Sequence, residues 1–175
     1  MAYRMAYRRP DLVRGIVSID GGPAERAATR AFRRAMELAP WIKLFGGINR
    51  VRRKIYAQLI RESVDTTWVT DTVVDGYTRG AARDFDATLK AFVTMAQRRE
   101  PERLRPHLPD IHCPVRLLVG AARHDGGISE TEVTALAEAL PAFAVDSIPG
   151  VGHFIQEERP EVVLRAVAQV RKETL

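Results

Sequence analysis

His153 stands alone in GVGHFIQEERP (residues 150–160), set on a glycine turn after an apolar run and ahead of a helical stretch. An imidazole displayed on such a turn acts as a base when a carboxylate holds one ring nitrogen and leaves the other free to take a proton. Two acids occupy comparable places. Asp20 ends the run VRGIVSID, and Asp125 lies in the loop AARHDGG after RLLVG, with His124 as an unusual neighbour. In parallel sheets, groups that handle ligands collect at the carboxyl ends of strands, so all three side chains are expected to converge on one edge. Either aspartate could orient His153, and aspartates also terminate strands and begin turns for purely structural reasons.

A base and its orienter need a third member, a nucleophile exposed on a sharp turn. No G-x-S-x-G occurs in the 175 residues. Ser18 and Ser147 fall within strand-like runs, Ser63 near a helix end, and Ser129 stands three residues before Glu132, the spacing of a helix N-cap. His107 and His112 flank Pro109 with too few further ligands nearby for a metal, and the single Cys113 lies in the apolar approach IHCPVRLLV, where a buried, inert thiol is expected.

The elements that must position these residues follow a definite order. MAYRMAYRRPDL repeats Met-Ala-Tyr-Arg one helical turn apart and stops near Pro10, which reads as the end of a helix. VRGIVSID is a short apolar run rich in β-branched residues, the pattern of a strand buried on both faces. Residues 24 to about 105 change to helical periods, with helices expected near 24–38, 48–62, 69–79 and 81–98. CPVRLLVG and FAVDSIPG restore strand character; ISETEVTALAEAL follows the first as a helix, and RPEVVLRAVAQVRKE closes the chain as another. A helix, a buried strand and further strand–helix pairs together indicate an α/β fold with a parallel sheet.

Bulk properties narrow the class. The chain is 46% hydrophobic and 28% charged with a mean hydropathy of -0.18, and no apolar run approaches the length of a membrane span. No secretory signal is evident, so a cytoplasmic location is expected. The net charge of +5 is dense from Arg26 to Arg61, yet the arginines of INRVRRKIYAQLIRES alternate with Ile48, Val51, Ile55 and Leu59. That spacing describes a packed helix with a solvated basic face, so neither nucleic acid nor membrane is expected as a partner.

AYRMAYRRPDLVRGIVSID resembles the helix and strand that follow the nucleophile elbow of the alpha/beta hydrolases. CPVRLLVGAARHDGG and IPGVGHFIQEERPEVV resemble that family's acid loop and histidine loop, and the helical block resembles its inserted cap. The resemblance spans essentially all 175 residues but only the second half of the family's fold. It implies a partial alpha/beta-hydrolase fold of about three parallel strands with flanking helices, residues 1–23 and 106–175 forming the core and 24–105 an all-helical cap. Asp125 matches the commoner acid position, though later in its loop than usual; Asp20 matches the alternative position used by some dehalogenase-like members. The elbow itself would lie before Met1, so the resemblance implies the C-terminal part of a hydrolase for a small, apolar, ester-like substrate, inactive by itself, with serine or aspartate as the missing nucleophile. Trp41, Phe45, Trp68, Tyr77, Phe85 and Phe92 could line its pocket or pack the cap. No cofactor or metal is implied, because this chemistry runs on protein groups. The competing expectation is a non-catalytic module that binds through the basic helices, or self-associates through the strand edge that VRGIVSID leaves open.

Overall fold

A computed structural model describes residues 1–23, 30–38, 47–100 and 102–174. Its sheet has three parallel strands, β1 (Ile16–Ile19), β2 (Val115–Gly120) and β3 (Phe143–Ile148), in that spatial order. Ile16 pairs with Val115 and Ile19 with Leu118; on the other side Val115 pairs with Phe143 and Gly120 with Ile148. β2 is central, which explains why its sequence is nearly continuous in apolar residues.

The two faces of the sheet bury separate cores. Ile16, Val115 and Leu117 join Tyr3, Leu104, Leu108, Ile111, Leu136 and Leu140 on one side, whereas Leu118 joins Val151, Ile155 and Ala166 on the other. Leu117 and Leu118 are both fully inaccessible. Each removes a leucine side chain from water, which favours the fold by about 2 kcal/mol. The strand thus fixes its own register, because a slip by one residue would exchange the two faces.

Helices cover both sides. α1 (Ala2–Arg8) buries Tyr3 and Ala6, and its Tyr7 hydroxyl donates to Glu102 Oε2 at 2.6 Å, alongside the Arg8 guanidinium. These two donors hold the exposed Glu102 carboxyl at about 2, the Tyr7 bond being the larger cause. The helix Glu130–Ala139 starts at Ser129, whose hydroxyl accepts from the Glu132 backbone N–H at 3.2 Å, the cap expected from the spacing. A short turn of helix, Ile155–Glu158, precedes the closing helix Pro160–Glu173, which has Pro160 in its first turn. Cys113, expected to be buried, is only partly so, and that partial burial raises the pKa of its thiol.

The chain divides into two compact units: residues 1–23, 62–65 and 102–175, and residues 24–61 and 66–101. The second unit contains α2 (Arg30–Glu37), α3 (Gly47–Arg61), α4 (Asp71–Arg83) and α5 (Phe85–Gln97). Arg52 of α3 bonds Asp71 and Asp75 of α4 at 2.7 and 2.8 Å, and Phe32 of α2 meets Phe92 of α5 edge to face, with ring centroids 5.9 Å apart. The break between α4 and α5 falls at Asp84 rather than near residue 80. The Asp84 carboxylate accepts from the Ala87 N–H at 2.8 Å, and capping the next helix requires an extended residue there. Residues 24–29, Trp41 and Phe45 lie outside the described residues. Among the described residues no helix is long and apolar enough to cross a membrane.

Glu62–Asp65, expected in the helical block, belongs with the sheet. The reason is a buried carboxylate. Glu158 is 6% exposed, and its Oε2 accepts from the backbone N–H groups of Val64 and Asp65 at 2.9 and 2.8 Å, while Oε1 accepts from Gly152 at 2.9 Å. Three charge-assisted bonds tie this segment to the turn that carries His153.

Candidate active site

The site is built at the carboxyl ends of β1 and β2 and in the turn after β3. The chain bends immediately after Ile19, where Asp20 takes a left-handed backbone conformation with φ of 49°. That conformation is uncommon outside glycine, but aspartate tolerates it better than most residues. The bend is held by the Asp20 N–H donating to the Leu118 carbonyl at 2.7 Å and by the Ser18 hydroxyl donating to the Gly21 carbonyl at 2.6 Å. The Asp20 side chain is thereby sealed completely from solvent.

His153 is placed by backbone packing. Its N–H donates to the Glu62 carbonyl at 2.8 Å. A Cβ on Gly120 would collide with the Gly152 carbonyl, and a Cβ on Gly152 would collide with the Glu62 carbonyl. Glycine at both positions lets three backbone segments stack at van der Waals distance. The outcome is a ring that is 32% exposed, packed edge to face on Phe154, with Nδ1 2.7 Å from Asp20 Oδ2. Among the described residues Nε2 has no partner. The hydrogen bond to Asp20, more than any other cause, raises the pKa of His153; partial burial opposes it, and the charges of Asp20 and Glu62 add to it.

Asp20 and Asp125, open alternatives in the sequence, are therefore separated by geometry. Asp20 contacts His153. Asp125 is exposed, its backbone N–H donates to Glu62 Oε2 at 2.7 Å, and its carboxylate makes no hydrogen bond or ion pair to either nearby imidazole among the described residues. The loop after β2 contributes the preceding residue instead. His124, 7% exposed, points Nε2 at the same Asp20 Oδ2 from 2.6 Å, and its Nδ1 lies 2.7 Å from the Ala122 carbonyl. Gly127 closes over this pair: a Cβ there would lie 2.5 Å from His124 Nε2 and 3.2 Å from both Asp20 oxygens. One carboxylate oxygen thus meets two imidazoles, and Asp20 Oδ1 is buried with no partner.

Sequence reasoning had no signal for Glu62 or Glu158, whose carboxylates accept from backbone N–H groups 63 and 93 to 94 positions away. His124 was visible only as an oddity beside Asp125. His107 stacks on Tyr7 and pairs with Glu102 and Asp110, away from this cluster.

The sequence profile of the alpha/beta hydrolase family matches residues 1–166. The chain belongs to the alpha/beta hydrolase family. Among solved structures it is similar to a thermophilic esterase from Thermogutta terrifontis, with 21% identity and a TM-score of 0.68, matching 99% of this chain and 61% of that one. The epoxide hydrolase CorEH has 16% identity and a TM-score of 0.69, matching 97% of this chain and 62% of its own. A meta-cleavage product hydrolase from Pseudomonas fluorescens has 14% identity and a TM-score of 0.69, matching 99% and 61%. At these identities the likeness establishes the fold. The chain spans about three fifths of the length of these structures. No curated protein sequence matches it.

Proposed function

We propose that this chain supplies the base and its orienting acid to an alpha/beta hydrolase acting on a small, apolar, ester-like substrate. The observation that carries the reading is the 2.7 Å contact between His153 Nδ1 and Asp20 Oδ2, with Nε2 unpartnered and the ring partly exposed. A carboxylate can only accept here, so Nδ1 carries the hydrogen and Nε2 holds the lone pair. Nε2 would take the proton from a hydroxyl nucleophile, or from water if the nucleophile is a carboxylate. The developing imidazolium would then rest against the Asp20 charge, and Nε2 would return the proton to the leaving alkoxide. Residues outside the 175 would provide the nucleophile and the amides that hold the oxyanion. The helical unit, residues 24–61 and 66–101, would act as the cap.

Hydrolysis of a short-chain aryl ester tests this, comparing the 175-residue chain with one extended upstream to include a G-x-S-x-G or G-x-D-x-G turn. The expected result is turnover by the extended protein alone, abolished by His153→Gln. Full turnover by the extended His153→Gln protein would overturn the assignment.

A second reading draws on one observation: β1 stands at the end of the strand order among the described residues. An open edge can add another strand, so a non-catalytic module that self-associates there is the competing proposal. Size-exclusion chromatography separates the two, since a concentration-independent monomer would oppose edge pairing.

A further inference from the structure

We infer that Glu158 is a positioning residue for the hydrolytic reaction: a buried carboxylate that fixes the backbone from which the His153 ring projects. The inference rests on the reading of His153 as the base, and goes beyond the base and its orienting acid to the group that sets where the base stands.

Consecutive amides of the histidine turn are held by different glutamates. The Gly152 N–H donates to Glu158 Oε1 at 2.9 Å, and the His153 N–H donates to the Glu62 carbonyl at 2.8 Å. Glu158 Oε2 accepts from Val64 and Asp65 at 2.9 and 2.8 Å, which closes the turn and segment 62–65 into one ring of bonds with the Glu158 side chain as the link. Glu158 is itself anchored, since its backbone N–H donates to the Phe154 carbonyl at 2.9 Å, and the Phe154 ring packs edge to face on His153. An imidazole carried by two neighbouring, fixed amides has little freedom to swing away from Asp20 Oδ2, 2.7 Å from its Nδ1. Placement of that kind is what keeps a base within reach of the proton it takes.

The same frame extends to the loop after β2. Glu62 Oε2 accepts from the Asp125 N–H at 2.7 Å, and the Ala122 N–H donates to the Val151 carbonyl at 3.0 Å, so that loop is pinned on both sides of His124. Among the described residues, the titratable groups facing the His153 ring are Asp20 from the loop after β1, His124, whose ring centroid is 5.6 Å away, and Glu62, whose charge adds to the raised pKa of His153. Glu158 acts on the ring through the Gly152 amide.

Stability alone is a poor reason for an acid in this place. Taking a carboxylate out of water is costly, and its bonds offset that cost without a clear gain over apolar packing. Bonds from a carboxylate to backbone N–H groups do supply fixed direction. Three donors converge on Glu158, and a glutamine there would turn an N–H of its own against a backbone N–H.

The test titrates His153 by nitrogen-resolved NMR in the 175-residue chain, as parent, Glu158→Gln, Glu158→Asp and a control, Glu161→Gln, which alters an exposed acid of the closing helix. Circular dichroism checks that each is folded. Glu158→Asp keeps the charge but is one methylene short, so a shift there reports position. Both Glu158 variants should loosen the turn and weaken the Asp20 bond, the largest cause of the raised pKa, moving the titration to lower pH, while Glu161→Gln leaves it in place. An unchanged titration in both Glu158 variants would overturn the inference, as would a shift in Glu158→Gln with none in Glu158→Asp, which assigns the effect to charge at a distance. If Glu158→Gln does not fold, Glu158→Asp decides alone. In the upstream-extended protein, kcat of Glu158→Gln should fall on the order of 10^2-fold at an unchanged KM. The titration needs no nucleophile, so its failure is distinct from failure of the ester assay.

Discussion

Two loops leave the same sheet edge and were given equal claim to the orienting acid. The loop after β1 commits its carboxylate inward: Asp20 takes a left-handed bend, is sealed from solvent, and meets both imidazoles. The loop after β2 does the opposite, turning Asp125 outward and His124 inward. Side chains on adjacent residues of a bend point to different sides, so only one of His124 and Asp125 could enter. The comparison shows that an acid site in this fold depends on which residue of a loop faces in, and not on which loop carries an aspartate.

The largest expected effect comes from disturbing the backbone stack that brings the loops together. Gly120→Ala would push a methyl into the Gly152 carbonyl and separate the end of β2 from the His153 turn. A loss of about 3 kcal/mol is expected in urea unfolding, since backbone on both sides cannot yield cheaply.

Asp20→Asn comes next and tests the inward-facing loop alone. Asparagine tolerates the left-handed bend, so stability should fall by about 1 to 2 kcal/mol, the cost of a charge-assisted bond. In the extended, active protein the rate should fall on the order of 10^4-fold, because the amide no longer enforces the productive tautomer. Nitrogen-resolved NMR should show the pKa of His153 falling. The sign follows from its cause: Asp20 raises the folded value above that of the unfolded chain. That contribution is therefore complete below the ordinary imidazole range and is lost as pH rises through the raised value. The stability gap between parent and variant should narrow along the same path.

Asp125→Asn is the smallest, and the sharpest for the comparison. Its carboxylate contacts neither ring, so stability should change by no more than about 0.5 kcal/mol, and the titration of His153 should stay where it is. A downward shift of that titration would show that the loop after β2 shares the acid role.

Much of the fold was legible without coordinates. Three apolar runs became three parallel strands, the central β2 most plainly because burial on both its faces writes itself as continuous apolar sequence, and Ser129 with Glu132 marked a helix start that the structure repeats. His153 and Asp20 were legible because glycine turns and strand ends are local features. The choice between Asp20 and Asp125 was not, nor was the entry of His124, since side-chain facing in a loop depends on bonds made elsewhere. Glu62 and Glu158 were hidden for the same reason: nothing local tells a buried glutamate from a solvated one. The break expected between residues 79 and 81 falls instead at Asp84, because the cap bond to Ala87 decides it and that bond depends on the fold of the next helix.

By itself the sequence determined the strand and helix periods, the parallel α/β order, and which residue types stand at the sheet's edge, all consequences of short-range backbone and burial preferences. Tertiary structure alone decided that Asp20 receives two imidazoles, that Asp125 turns to solvent, and that Glu158 draws residues 62–65 into the sheet unit. Those outcomes rest on hydrogen bonds between groups far apart in the chain, whose strength comes from exclusion of water and so exists only once the surrounding elements have packed.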